Sequence, residues 1–173
     1  FRLAHDGENL YFSCRAYDSN PAGIQSPTLT RDDPSYLNDS CATMAEVLGP
    51  AGYSTLISGK WHVGEERPHW PDKRGFERSF GLISGGSNYF KLDAARQMAL
   101  GNEPWTPPDD GSFYMTDAIA DHAVEFIDKH GEETNPFFLY LAFTAPHWPL
   151  HAKPADIAKY KGKYSMGWDE LRE

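Results

Sequence analysis

The run Phe137-Phe138-Leu139-Tyr140-Leu141-Ala142-Phe143 constrains this chain most. It is apolar and aromatic throughout, and turn residues bound it: Asn135-Pro136 before, Thr144-Ala145-Pro146-His147-Trp148-Pro149 after. A short run of this kind reads as a strand buried on both faces. Ahead of it, Tyr114 to His130 has helical periodicity and Gly131 to close it. Further ahead, Ser54 to Ile57 is a second β-favouring segment. Strand, crossover helix, strand is the βαβ pattern, which places both strands parallel in one sheet. The fold class is therefore α/β, a largely parallel sheet flanked by helices.

Parallel strands put their carboxyl ends on one side of the sheet, where open α/β sheets bind ligands. Past the first strand the chain runs Gly59-Lys60-Trp61-His62-Val63-Gly64. Residues i and i+2 of an extended segment share a side, so Lys60 and His62 are expected to face one anionic group together. His147 follows the second strand, and we expect it at the same edge. A Lys and a His in a loop are more often a solvated surface, and Pro-His-x-Pro alone could be a rigid turn. His151 ranks below His147 because it lacks the strand-end setting.

Other segments read as scaffold. Thr43-x-x-Glu46 fits a capping box that opens a helix, with Met44, Val47, Leu48 and Ala51 as its apolar stripe and Gly52 as its end. In the second helix Ile119, Ala123, Phe126, Ile127 and His130 share a face. Asp117, Asp121, Glu125 and Asp128 read as a solvated face rather than a metal cluster, and His122 as an ordinary helix histidine. Residues 65–111 show no periodicity, and their many aromatics are expected to bury the segment on the sheet rather than line a cleft. Ser84-Gly85-Gly86-Ser87 can bend the backbone tightly but lacks the lysine of a P-loop. Lys153, Lys159, Lys161 and Lys163 read as a solvated basic patch.

The 173 residues fit one domain, and their net charge of −9 argues against nucleic acid as a partner. No apolar run approaches the roughly 20 residues of a membrane span. Cys14 and Cys41 are too few for a disulfide framework, although a bridge between them is open. Residues 1–40 are turn-rich and read as irregular, with at most one short strand. Residues 1–20 are left outside the domain, because Glu8-Asn9-Leu10-Tyr11-Phe12-Ser13 is similar to an engineered protease-cleavage tag lacking its glutamine. The chain begins at Phe1 and reads as processed, truncated or incompletely recorded.

The whole string Gly52-Tyr53-x-Thr55-x-x-x-Gly59-Lys60-Trp61-His62-x-Gly64 resembles the second signature of the sulfatase family. Pro21-Ala22-Gly23-Ile24, Tyr36-Leu37-Asn38-Asp39, Ala145-Pro146-His147 and Ala155-Asp156-Ile157-Ala158-Lys159-Tyr160 resemble further segments of it. The resemblance covers most of residues 21–173 and implies one alkaline-phosphatase-like α/β domain, incomplete here. It implies hydrolysis of sulfate esters by a formylglycine made within a C/S-x-P-x-R motif, beside a calcium ion. Lys60 would then hold the sulfate. His62 would contact the formylglycine hydroxyl, and His147 would bind sulfate or protonate the leaving oxygen. Lysine is a compact charge for a tetrahedral oxyanion, and histidine exchanges protons near neutral pH.

The chain also departs from the pattern. Cys14-Arg15-Ala16-Tyr17-Asp18 is not C-x-P-x-R, so the nucleophile is not assigned to Cys14. Asp32-Asp33 precedes a proline and is a poor substitute for the calcium-binding pair, so no metal ligand is assigned. The expected partner is a sulfate-ester small molecule or a sulfated sugar, with self-association of the chain also expected. A phosphate or phosphonate ester hydrolase and a non-catalytic anion- or sulfated-sugar-binding module are the other readings. The compartment is unassigned, although the resemblance leans to a periplasmic or extracellular setting.

Overall fold

A computed structural model describes residues 2–5, 10–13, 36–37, 41–131 and 133–163. Two compact units divide the chain, Phe1–Asp33 and Pro34–Glu173. In the first, β1 (Arg2–His5) pairs antiparallel with β2 (Leu10–Ser13). The sequence reading allowed at most one short strand here. Two four-residue segments are too short to show a period. Cys14, Pro21-Ala22-Gly23-Ile24 and Asp32-Asp33 lie outside the described residues.

The second unit is built on a five-stranded sheet in the order β6-β5-β4-β3-β7. Its centre is β3 (Ser54–Gly59), parallel both to β4 (Arg78–Leu82) and to β7 (Phe137–Ala142). Ser54 to Gly59 of β3 register with Phe137 to Ala142 of β7, one for one. Helix α2 (Met115–His130) leads the chain from the sheet's far side into β7. The βαβ reading is thus present, and β5 (Met98–Leu100) and β6 (Glu103–Trp105) add an antiparallel end to the sheet. Three-residue strands leave no periodic signal, which is why 65–111 read as structureless. The aromatics of that stretch are largely buried: Trp70, Phe76, Phe80 and Tyr89 are all in the core. Among the described residues no helix is long and apolar enough to cross a membrane.

Every residue of β3 is buried, polar side chains included, because each polar group finds a partner. Ser58 Oγ donates to the Ile119 carbonyl of α2 at 2.7 Å, and Thr55 Oγ1 to the Gly75 carbonyl at 2.6 Å. Leu56 packs with Phe80, Leu82, Met115, Ile119 and Phe126 on one side of the sheet, while Ile57 packs with Trp61, Trp70 and Phe76 on the other. Burying either side chain stabilises the fold by roughly 1.5–3 kcal/mol.

The capping box forms as read: Thr43 Oγ1 accepts from the Glu46 N–H at 3.1 Å, and the Glu46 carboxylate accepts from the Thr43 N–H at 2.7 Å. Helix α1 (Met44–Leu48) then has only five residues. Too short for a stripe, it buries Ala45 alone and leaves Val47 and Ala51 exposed. Arg74, itself buried, binds Glu46 and the carbonyls of Leu37 and Cys41. The Arg74 hydrogen bond holds the Glu46 carboxyl below its ordinary range.

Two further expectations are corrected. Strand β7 is not buried on both faces: Phe137, Tyr140 and Leu141 are 41%, 48% and 42% exposed. Among the described residues β7 has a strand partner on one side only, so its apolar run is only half covered. In α2 the buried face is Met115, Ile119, Ala123, Phe126 and His130, with Ile127 turned outward and the four acids exposed. His122 stacks on Phe80, ring centroids 3.6 Å apart, as scaffold.

At the carboxyl end of the sheet two glycines let three strands close together. Gly59 and Gly81 have φ of +134° and +147°, and a Cβ would stand 1.9 Å from the Ala142 carbonyl oxygen or 1.8 Å from that of Gly59. Backbone cannot yield as a side-chain tip can. We expect Gly81→Ala to destabilise the full-length protein by about 4 kcal/mol or more, lowering its thermal midpoint by roughly 4 °C. Gly49→Ala, whose nearest neighbour would be 4.0 Å away, should leave it unchanged or raise it. A normal midpoint for Gly81→Ala would show that the strands do not meet this tightly.

Candidate functional site

Strand register carries the chain past β3 without a break. The Lys60 N–H donates to the Ala142 carbonyl at 2.7 Å, which extends the pairing with β7 by one residue. The next two amides switch sides: Trp61 N–H bonds to Leu82 at 2.8 Å and His62 N–H to Ile83 at 3.0 Å. Lys60 and His62 are thus fixed by backbone bonds at the carboxyl end of the sheet. His62 has a φ of +56°, in the left-handed region. The segment is therefore not extended through His62, and the same-side argument from i and i+2 does not apply. His62 instead sits at a backbone position unusual for a non-glycine residue.

His147 arrives from the other strand. Its N–H bonds to the Thr144 carbonyl at 2.8 Å, and its own carbonyl accepts from the Tyr89 hydroxyl at 2.8 Å. Its Nδ1 lies against the Trp148 carbonyl. A carbonyl only accepts, so Nδ1 donates to it, and Nε2 is the ring nitrogen left to exchange a proton. His151 packs edge-on against Tyr89, with ring centroids 5.8 Å apart.

The three predicted residues come together. His62 lies over Gly85 and His147 over Gly86, so the two rings rest on consecutive residues. Partial burial pushes the His62 pKa down, and the charges of Lys60, Arg96 and His147 push the same way against Glu65. Burial likewise lowers the pKa of Lys60. His62 and His147 remain open to solvent, while Lys60 is half-buried. Positive groups gathered at one accessible edge suit an anion, and the neutral imidazole favoured at His62 suits proton acceptance.

Sequence reading missed Arg96 and Glu65 as neighbours of His62, and it set aside the glycine pair because no lysine followed. The clue available was position: Gly85-Gly86 follows Phe80-Gly81-Leu82, a strand-like run hidden in an aperiodic segment. Lys153 and Lys159 pair with Asp117 and Asp156 at the surface. Among the described residues no group of three or more His, Cys, Asp or Glu is arranged to hold a metal ion. Lys60, His62 and His147 do not fit calcium, which takes oxygen ligands.

Comparison with solved structures places this architecture in the alkaline-phosphatase-like α/β class. The structure of Ps i-CgsB in complex with k-i-k-neocarrahexaose superposes with a TM-score of 0.67 at 30% identity, over 81% of this chain and 34% of that one. The sulfatase family model matches residues 7–173, and the chain belongs to the sulfatase family. It is 41% identical over 150 residues to an uncharacterized sulfatase of Schizosaccharomyces pombe, covering 80% of this chain and 27% of that protein. It is 38% identical over 147 residues to an arylsulfatase of Klebsiella aerogenes, covering 78% and 30%. The chain thus spans under a third of the length of these relatives. The family uses formylglycine and calcium.

Proposed function

We propose that the protein carrying this chain is a sulfuric-ester hydrolase, and that Lys60, His62 and His147 are the substrate-side part of its active site. The observation that carries the reading is the meeting of these three residues at one sheet edge in a member of the sulfatase family. Lys60 holds the sulfate and offsets the charge that grows on its oxygens as the ester bond breaks. His62, held toward its neutral form, accepts a proton at the nucleophile's side. His147, whose Nδ1 is tied to the Trp148 carbonyl, binds sulfate or, once protonated at Nε2 as well, delivers that proton to the leaving oxygen. The substrate is a sulfate ester of a small molecule or sugar. The neocarrahexaose bound to Ps i-CgsB supports the sugar.

A parallel panel of aryl sulfate, phosphate and phosphonate esters on the full-length protein tests this. We expect kcat/KM for the sulfate to lead. Preference for a phosphorus ester would transfer the site to a phosphate or phosphonate hydrolase, since any tetrahedral oxyanion suits the same cations. Binding of sulfated sugars without turnover would make it a non-catalytic module.

A further inference from the structure

Ser84-Gly85-Gly86-Ser87 passes against both histidines. A Cβ built on Gly85 would stand 2.4 Å from Nε2 and 2.6 Å from Cε1 of His62; one on Gly86 would stand 2.8 Å from Cε1 and 2.9 Å from Nδ1 of His147. All four distances fall below the 3.0 Å that real Cβ atoms keep. Neither glycine has a positive φ, so backbone conformation does not call for glycine here. The space taken by the rings does.

The segment is pinned on both sides of the pair. Ser84 Oγ accepts from the Gln97 N–H at 3.2 Å and donates to the Glu65 carboxylate at 3.3 Å. Ser87 Oγ donates to the Asp93 carboxylate at 3.2 Å and accepts from the Asp93 N–H at 3.0 Å. Two residues on, Tyr89 holds the His147 carbonyl. The same segment therefore meets the His147 ring and grips its backbone. We propose that Gly85 and Gly86 are positioning residues: a two-glycine floor whose missing side chains set where the His62 and His147 rings rest, and so the gap between them. Their catalytic consequence rests on the sulfatase reading above, whereas the seating of the rings does not.

The alternative is that glycine serves the fold alone. The two ideas separate because each added methyl would meet the far end of an exposed side chain, which can swing away. A seat should therefore be lost without loss of stability. Gly85→Ala and Gly86→Ala are made in the full-length protein, and histidine-ring NMR signals, assigned with His62→Ala and His147→Ala, are followed through a pH titration. Thermal midpoints and aryl sulfate kinetics are measured alongside. We expect midpoints within about 1 °C of wild type, the scale of a surface substitution. Gly85→Ala should move the His62 signals and titration midpoint more than those of His147, and Gly86→Ala the reverse. Each should lower kcat/KM by about 100-fold, the usual consequence of a small misplacement, and Gly85→Ala should cost nothing further in a His62→Ala background. Unmoved histidine signals, or both variants failing to fold, would overturn the floor. A wild-type protein inactive on sulfate esters would instead defeat the functional reading, with the NMR shifts still deciding the floor.

Discussion

Lys60→Ala in the full-length protein is expected to lower kcat/KM for a sulfate ester by about 10²–10³, the usual cost of removing one positioned charge or donor. The magnitude follows from how little freedom the residue has. Its amide is bonded to the Ala142 carbonyl, its two successors are bonded to Leu82 and Ile83, and its side chain is half-buried. A cation whose backbone is held this way needs little reorganisation when charge develops on the ester. Arginine would restore charge but not the compact contact, so Lys60→Arg should recover only part of the rate. A second readout comes from His62, whose pKa Lys60 helps to depress. Removing the cation must raise it, so the neutral ring is reached only at higher pH. If neutral His62 accepts the proton, the acid limb of the pH–rate profile moves to higher pH in Lys60→Ala. A kcat/KM within twofold of wild type, with an unmoved acid limb, would take Lys60 out of the anion site.

The parts of this site that were readable in the sequence are those where one residue type does one job. Ser54–Ile57, the α2 periodicity and the Phe137–Phe143 run fixed the βαβ unit, and topology then put His62 and His147 at one edge. What could not be read depends on short elements and on missing side chains. Strands β5 and β6 have three residues each, and pairing partners rather than a local pattern create them. The floor under the histidines is defined by the absence of Cβ at Gly85 and Gly86, and absence in a glycine-rich turn looks the same whether or not anything rests on it. His62 reaches the sheet edge by a route the sequence does not show, since its left-handed φ accompanies bonds to the end of β4 that an isolated segment cannot reveal. The exposure of β7 is a similar case: composition records what a strand can bury, not which neighbours stand beside it.

The 173-residue polypeptide on its own is expected to hydrolyse an aryl sulfate at a rate indistinguishable from the uncatalysed reaction. Lys60, His62 and His147 can hold an anion and move protons, but positioned charges act on a bond that something must attack. Nowhere in the 173 residues does C/S-x-P-x-R occur, so the polypeptide has no formylglycine and no covalent route through one. The described residues also offer no carboxylate set for a metal to lower the cost of bringing a nucleophile to an anion. Loss of several members of a catalytic set does not leave the sum of their parts. Removing one commonly costs most of what removing all would cost, so the surviving cations contribute binding rather than turnover. The measurement is aryl sulfate hydrolysis by the purified polypeptide, beside its Lys60→Ala variant and the full-length protein. Turnover in the full-length protein alone is the expected result. Metal-dependent hydrolysis by the isolated polypeptide that Lys60→Ala abolishes would mean that these 173 residues contain a nucleophile outside the family's motif.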